Sequence, residues 1–179
     1  MSPQASGHIP VVPIEEYERQ QRRRESGLAP VWDALDSVKD PEVPAISLWE
    51  LGVLQDIEQV DGRIVVTITP TYSGCPAMAA MAEDVVETLR REGFSECEVR
   101  TRLSPAWTTR WMSATARRKL REHGIAPPVE TCADEAPDVV CPQCGTGGAR
   151  LLSQFGSTAC KAMYRCLSCA EIFDFFKQV

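Results

Sequence analysis

The chain closes with two Cys-x-x-Cys pairs, Cys141-Pro-Gln-Cys144-Gly and Cys166-Leu-Ser-Cys169, separated by the 21 residues Gly145–Arg165. Each pair makes a tight turn that aims two sulfurs at one point, and two such turns complete a tetrahedral four-thiolate site. The intervening loop is slightly longer than the roughly 15–20 residues of the ribbon pattern and still suits two facing hairpins. A segment as short as 141–179 has too little apolar surface for a core of its own, and a metal supplies what the core lacks. Cys141, Cys144, Cys166 and Cys169 are therefore read as ligands of a small metal ribbon. Zinc suits the site, and so does a single iron as in a rubredoxin. The first turn carries the rubredoxin-like Gly145 whereas the second has Ala170, a departure that favours zinc.

Two further thiols sit where chemistry is expected. Cys75, in Thr71-Tyr72-Ser73-Gly74-Cys75-Pro76, joins a strand to a helix. With Pro76 at the first helical position, Cys75 is placed at the cap, where the helix dipole favours thiolate. A small buried residue at that junction is the competing reading. Cys160 lies inside the ribbon loop beside Lys161, a cation that lowers a thiol pKa. It is read as a redox or transient cluster ligand, as a substitute for one ribbon cysteine, or as a residue packed under the hairpin. Cys97 and Cys132, the remaining two of eight cysteines, are read as inert.

Composition narrows the function classes. Met1–Pro13 has no basic start followed by an apolar run, and no window approaches the roughly 18 apolar residues of a membrane span. A cytoplasmic protein with reduced thiols is the expectation, and there paired cysteines mean metal or redox chemistry. A net charge of −6 and pI near 5.0 argue against nucleic acid as a partner. The two histidines, His8 and His123, do not form the Glu-x-x-His pairs of a di-iron site. No Gly-rich dinucleotide fingerprint occurs, so no flavin or nicotinamide site is expected.

The elements that position these residues read as follows. Ile14–Glu25 has helical composition, with Arg22-Arg23-Arg24 as a solvated face or an anionic contact. Pro30 starts a helix through Val38, and Asp40-Pro41-Glu42-Val43-Pro44 breaks it. Ser47–Gln59 and Arg63–Thr69 read as strands joined by an Asp61-Gly62 hairpin turn. A helix follows Pro76, with Met78, Met81, Ala82, Val85, Val86 and Leu89 on one face, and Gly93 ends it. Ser95–Leu103 is a third strand, and Ser113 caps a helix to His123. The fold class is α/β (α+β): a small sheet with packed helices, then a small metal ribbon of β-hairpins. The expected division is a flexible segment 1–29 with a helix in it, a domain 30–127, a linker 128–140, and the ribbon 141–179.

In order along the chain, Asp40-Pro41-Glu42-Val43-Pro44, Ser47-Leu48-Trp49-Glu50-Leu51-Gly52, Thr69–Pro76 and Leu103-Ser104-Pro105-Ala106-Trp107-Thr108 resemble the SufT-like metal–sulfur cluster assembly domain. With the cysteine ribbon and its Phe155–Ala162 and Phe173–Lys177 segments, the chain resembles the PaaD family of phenylacetate-degradation proteins. That resemblance implies a non-catalytic factor serving the multicomponent phenylacetyl-CoA epoxidase, which has a di-iron oxygenase and a reductase carrying flavin and a [2Fe–2S] cluster. The implied role is iron–sulfur maturation of the reductase, with that component and general iron–sulfur assembly proteins as partners and a transient cluster as cargo. Cys75 carries over as the signature cysteine. Asp40 and Glu42 carry over as motif residues that assist a cluster or shape the turn. One cysteine does not satisfy a cluster, which takes about four thiolates, so a homodimer, a partner or an external thiol must complete the set. A permanent structural subunit and a rubredoxin-like electron carrier are the alternative roles.

Overall fold

The computed structural model describes residues 13–129 and 137–178, so the expectations for His8, for Cys132 and for much of the linker lie outside the described residues. Among the described residues the chain begins with helix α1 (Ile14–Glu25), and the first domain follows with helix α2 (Ala29–Leu35), whose first turn holds Pro30. A short antiparallel hairpin of β1 (Lys39–Asp40) and β2 (Val43–Ser47) follows, with Pro41-Glu42 at its turn.

The single strand expected over Ser47–Gln59 is instead a strand end, a helical turn and a new strand. Ser47 caps the one-turn helix α3 (Leu48–Leu51): its hydroxyl accepts from the Glu50 N–H while the Glu50 carboxylate accepts from the Ser47 N–H. This reciprocal Ser-x-x-Glu box satisfies two donors that a short helix leaves open. Gly52 ends the turn in the left-handed region, with φ of 82°. A Cβ there would fall 2.8 Å from the Trp111 Cβ and carbonyl oxygen, so only glycine fits.

Strands β3 (Leu54–Val60) and β4 (Arg63–Ile68) pair antiparallel around Asp61-Gly62, both left-handed as a primed turn requires. Helix α4 (Met78–Arg91) carries the chain over to β5 (Cys97–Thr101), which pairs parallel with β4 and gives the order β3-β4-β5. Met81, Val85 and Leu89 of α4 face the sheet and are buried with Trp32, Leu35, Ile46, Leu48, Val66 and Ile68. A 3-10 turn (Thr109–Trp111) leads to α5 (Ala114–Glu122), capped by the Ser113 hydroxyl.

The last residues of this domain enter the ribbon. Strand β6 (Ile125–Ala126) pairs parallel with β9 (Ile172–Phe176), and β8 (Lys161–Cys166) and β7 (Ala149–Ser153) complete the order β6-β9-β8-β7. A small core of Ala126, Val139, Tyr164, Phe173 and Phe175 fills the ribbon. Cys160 and Phe176 belong instead to the core of the first domain, where Phe176 lies 5.9 Å from the Trp107 ring. Burying that phenylalanine contributes roughly 2–3 kcal/mol toward holding the ribbon down.

Arg19 ties helix α1 to the core. Arg19 is 2% exposed and donates to the carbonyls of Trp111 at 2.6 Å, Trp49 at 2.9 Å and Leu54 at 2.9 Å. Burial lowers its pKa to about 10, which leaves it charged at neutral pH. The neighbouring arginine run does not face an external anion at Arg23. That side chain pairs with Asp33 and Asp36 and lies over the Trp32 and Trp49 rings.

Candidate metal-handling site

The four ribbon sulfurs converge. Cys141 and Cys169 lie 3.8 Å apart, Cys144 and Cys166 lie 3.6 Å apart, and all four sulfurs fall within 4.8 Å of one another. A tetrahedral ion with sulfur at about 2.3 Å has ligand–ligand edges of about 3.8 Å, so the set fits such a metal. Local hydrogen bonds build each turn. The Gly145 N–H donates to the Cys141 carbonyl at 2.9 Å, and the Ser168 and Cys169 N–H groups point at the Cys166 sulfur at 3.4 Å. Gly145 is left-handed at φ 72°, and Ala170 adopts the equivalent conformation at φ 63° without glycine's freedom.

A second group of side chains meets at the seam between the ribbon and the first domain. Asp40, Glu42, Thr71, Cys75 and Cys160 line a small enclosed cavity of about 10 Å³, closed by Val43, Leu51, Val53, Met81 and Phe176. Asp40 ends β1 and is buried. Its Oδ1 accepts from the Glu42 N–H at 2.9 Å and the Val43 N–H at 2.8 Å, the geometry of an Asx turn. Burial raises its pKa, and the two backbone donors, with the field of Lys161, partly offset this.

Cys75 does not occupy the helix cap. It sits in the turn before α4, its N–H donating to the Tyr72 carbonyl at 3.2 Å, and Ala77 is the cap residue. Burial raises the Cys75 pKa and the Glu42 and Asp40 charges add to this, against the nearby backbone N–H groups of Ala77 and Met78, which favour the thiolate. The expected thiolate is thus held as a thiol by its buried, acidic surroundings. Cys160 shows the same correction. It is 8% exposed, and its sulfur lies 3.6 Å from Glu42 Oε2 and 3.0 Å from Thr158 Oγ1. Burial pushes its pKa up to about 11, with Glu42 repulsion adding to this, against the lowering by Thr158 and Lys161. The Lys161 ammonium donates to Ser157 Oγ at 3.1 Å.

The residues singled out from sequence therefore fall into two places: four cysteines at the ribbon apex, and Asp40, Glu42, Cys75 and Cys160 around the seam cavity. Thr71 and Thr158 join the second group and carry no sequence signal beyond their nearness to the two cysteines. Trp107 and Trp111 are both buried, with the Trp107 indole N–H donating to the Leu51 carbonyl at 3.3 Å. Cys97 packs on the edge of the core. No described helix is long and apolar enough to cross a membrane.

Two family matches follow the same two-part layout. The family described as "Iron-sulfur cluster assembly protein" matches residues 28–100, and the "PaaD zinc beta ribbon domain" matches residues 126–177. The chain is 45% identical over 149 residues, 82% of its length and 90% of the relative's, to a protein of Escherichia coli (strain K12) named as one component of a "Putative 1,2-phenylacetyl-CoA epoxidase". It is 32% identical over 90 residues, 48% of its length and 83% of the relative's, to the "Fe-S protein maturation auxiliary factor" of Porphyromonas gingivalis (strain ATCC BAA-308 / W83). Among solved structures, the DUF59 domain of Bacillus anthracis aligns with a TM-score of 0.47 at 25% identity, over 58% of this chain and 95% of that one. The chain belongs to the PaaD family, in which an iron–sulfur cluster assembly domain is joined to a zinc β-ribbon.

Proposed function

We propose that this protein is a non-catalytic maturation factor that helps supply the iron–sulfur cluster of a phenylacetyl-CoA epoxidase, specifically its [2Fe–2S] reductase component. The observation that carries this reading is the seam cavity, where Cys75 of the assembly domain and Cys160 of the ribbon face one space with Asp40 and Glu42. Thiols and carboxylates in one small pocket are a donor set for iron. The names of the related proteins from Escherichia coli and Porphyromonas gingivalis support both halves of the reading.

In this role the ribbon cysteines hold zinc as a closed structural site, which folds the ribbon and keeps Cys160 and Phe176 seated on the first domain. Asp40 shapes the turn that presents Glu42. Cys75 is the residue that receives and releases cargo. A cytoplasmic location and partners among general iron–sulfur assembly proteins follow from that role. The test is to purify the reductase from cells with and without this protein. Cluster-deficient reductase is the expected result in its absence, and a full cluster without it contradicts the role.

A permanent structural subunit of the epoxidase is the second reading, favoured by one feature. The ribbon exposes Leu151, Leu152, Phe155, Leu167 and Ile172, apolar surface that a standing interface would cover. Stoichiometric co-purification with the complex supports that reading, and passing association supports the first.

A further inference from the structure

Strand β5 leaves one side of the three-stranded sheet open. We propose that this edge pairs antiparallel with the same strand of a second copy, about a two-fold axis at Val99. The protein is then a homodimer with one continuous sheet ordered β3-β4-β5-β5-β4-β3. The interface shares no residue with the seam cavity and does not depend on the maturation reading.

The backbone is set up for it. Among the described residues β5 pairs only with β4. The Ile64 N–H donates to the Glu96 carbonyl at 2.9 Å, and the Arg102 N–H donates to the Ile68 carbonyl at 2.9 Å. Glu96, Glu98, Arg100 and Arg102 therefore turn their backbone groups toward β4. Cys97, Val99 and Thr101, alternating with them, point N–H and C=O groups out to the open edge. An axis at Val99 makes Val99 a hydrogen-bonded pair with its own copy, and Cys97 a hydrogen-bonded pair with Thr101 of the copy. About six main-chain hydrogen bonds result. Edges that resist pairing carry proline, lysine or a bulge; β5 carries none of these, and its charges are of both signs.

The side chains select the occupant. In Glu96-Cys97-Glu98-Val99-Arg100-Thr101-Arg102, acids precede Val99 and bases follow it at matching distances. The axis sets Glu98 opposite Arg100 of the copy and Glu96 opposite Arg102 of the copy. Both fall in the non-hydrogen-bonded pairs, where side chains approach most closely. Moving the axis to Glu98 or to Arg100 sets that charge opposite itself, and a parallel pairing in register sets acid against acid. The pattern thus specifies both orientation and register. The Arg102 Nε has no partner among the described residues, and Glu96 of the copy brings a carboxylate to that side chain. A foreign strand would have to carry this pattern by coincidence, whereas a second copy carries it by symmetry.

The same axis closes a groove. Half-buried Ala82 and Val86 of α4, with Cys97 and Val99 of β5, line an open groove of about 870 Å³ beside the edge. In the dimer α4 and its copy flank that groove on one face of the joined sheet and run antiparallel. Glu83 and Glu87 precede Arg90 and Arg91 along α4, so the acidic part of each helix faces the basic end of the other.

The experiment uses the full chain with its ribbon zinc-loaded. Sedimentation equilibrium gives the monomer–dimer constant, and hydrogen exchange of the 97–101 amides is followed at low and high protein concentration. The expected result is a dimer in which the Cys97, Val99 and Thr101 amides gain protection with concentration. Glu98→Arg and Arg100→Glu each set like charges together at two symmetry-related places and should weaken dimerisation at least about 10-fold. Both substitutions on one chain restore the match and should recover most of that loss, with circular dichroism unchanged in all three variants. A monomer at every concentration overturns the proposal, as does a dimer whose constant neither single variant moves, or a double variant no tighter than the singles. A wild-type chain that stays monomeric and gains protection at β5 only when purified reductase is added also overturns it, since a foreign strand then holds the edge.

Discussion

Cys160 of the ribbon lies 3.6 Å from Glu42 of the assembly domain across 118 residues of chain, and that contact makes the metal ribbon part of the candidate site. The ribbon's fold and the site's composition are then coupled. Stripping the ribbon metal with a chelator should unseat Phe176 from Trp107, whose rings lie 5.9 Å apart. The expected result is a red-shifted tryptophan emission with helical circular dichroism retained, since α1 to α5 belong to the other core. Loss of all helical signal at the same chelator concentration would show that the two cores do not separate.

Arg19 should be the costliest single polar side chain to remove. Its guanidinium serves three buried carbonyls, those of Trp111, Trp49 and Leu54. Arg19→Met keeps most of the volume and leaves the acceptors unpaired, so a loss of roughly 3–5 kcal/mol is expected in urea unfolding. A loss below about 1 kcal/mol would mean that water replaces it.

Gly52→Ala combines a left-handed φ of 82° with a Cβ 2.8 Å from Trp111 backbone. Strain and overpacking together predict about 2–4 kcal/mol of destabilisation. Ala170→Gly should do the reverse. Relieving the left-handed alanine at φ 63° is worth about 1–2 kcal/mol and is partly offset by glycine's unfolded-state entropy, for a net gain of about 0.5–1 kcal/mol. Thermal melting of the holo-protein measures both.

Glu50 gives the protein an acid-sensitive contact. Partial burial raises its pKa, while Lys119 at 2.7 Å and the Ser47 N–H more than offset this, so its pKa is lowered on balance. A carboxylate with a lowered folded pKa adds stability that is present above the ordinary glutamate range and lost as pH falls through the folded value. Glu50→Gln should therefore cost about 1 kcal/mol at neutral pH and progressively less in acid. A difference that stays constant through acid would assign the effect to packing.

Much of the fold is legible in the sequence because it is local. The Asp61-Gly62 turn, the Ser113 cap, Pro30 in the first turn of α2 and the two Cys-x-x-Cys turns are each set by a few adjacent residues. The Ser47–Glu50 capping box is equally local, yet the apolar run around Leu48, Trp49 and Leu51 reads as strand until the Ser-x-x-Glu spacing is weighed. Arg19 carries no local mark that separates it from Arg22, Arg23 and Arg24, because its burial depends on carbonyls 30 to 92 residues away. The thiol environments are hidden for the same reason. Lys161 is adjacent to Cys160 in sequence, whereas the Glu42 carboxylate and the burial that raise its pKa come from the fold.

The proposed role turns on whether Cys75 handles iron–sulfur cargo for the reductase. The decisive quantity is the iron and sulfide content of reductase purified from cells carrying either the wild-type protein or Cys75→Ala at equal abundance. A full [2Fe–2S] complement is expected with the wild type and a several-fold deficit with the variant, while ribbon zinc is the same in both proteins. A full cluster in both strains would contradict that role.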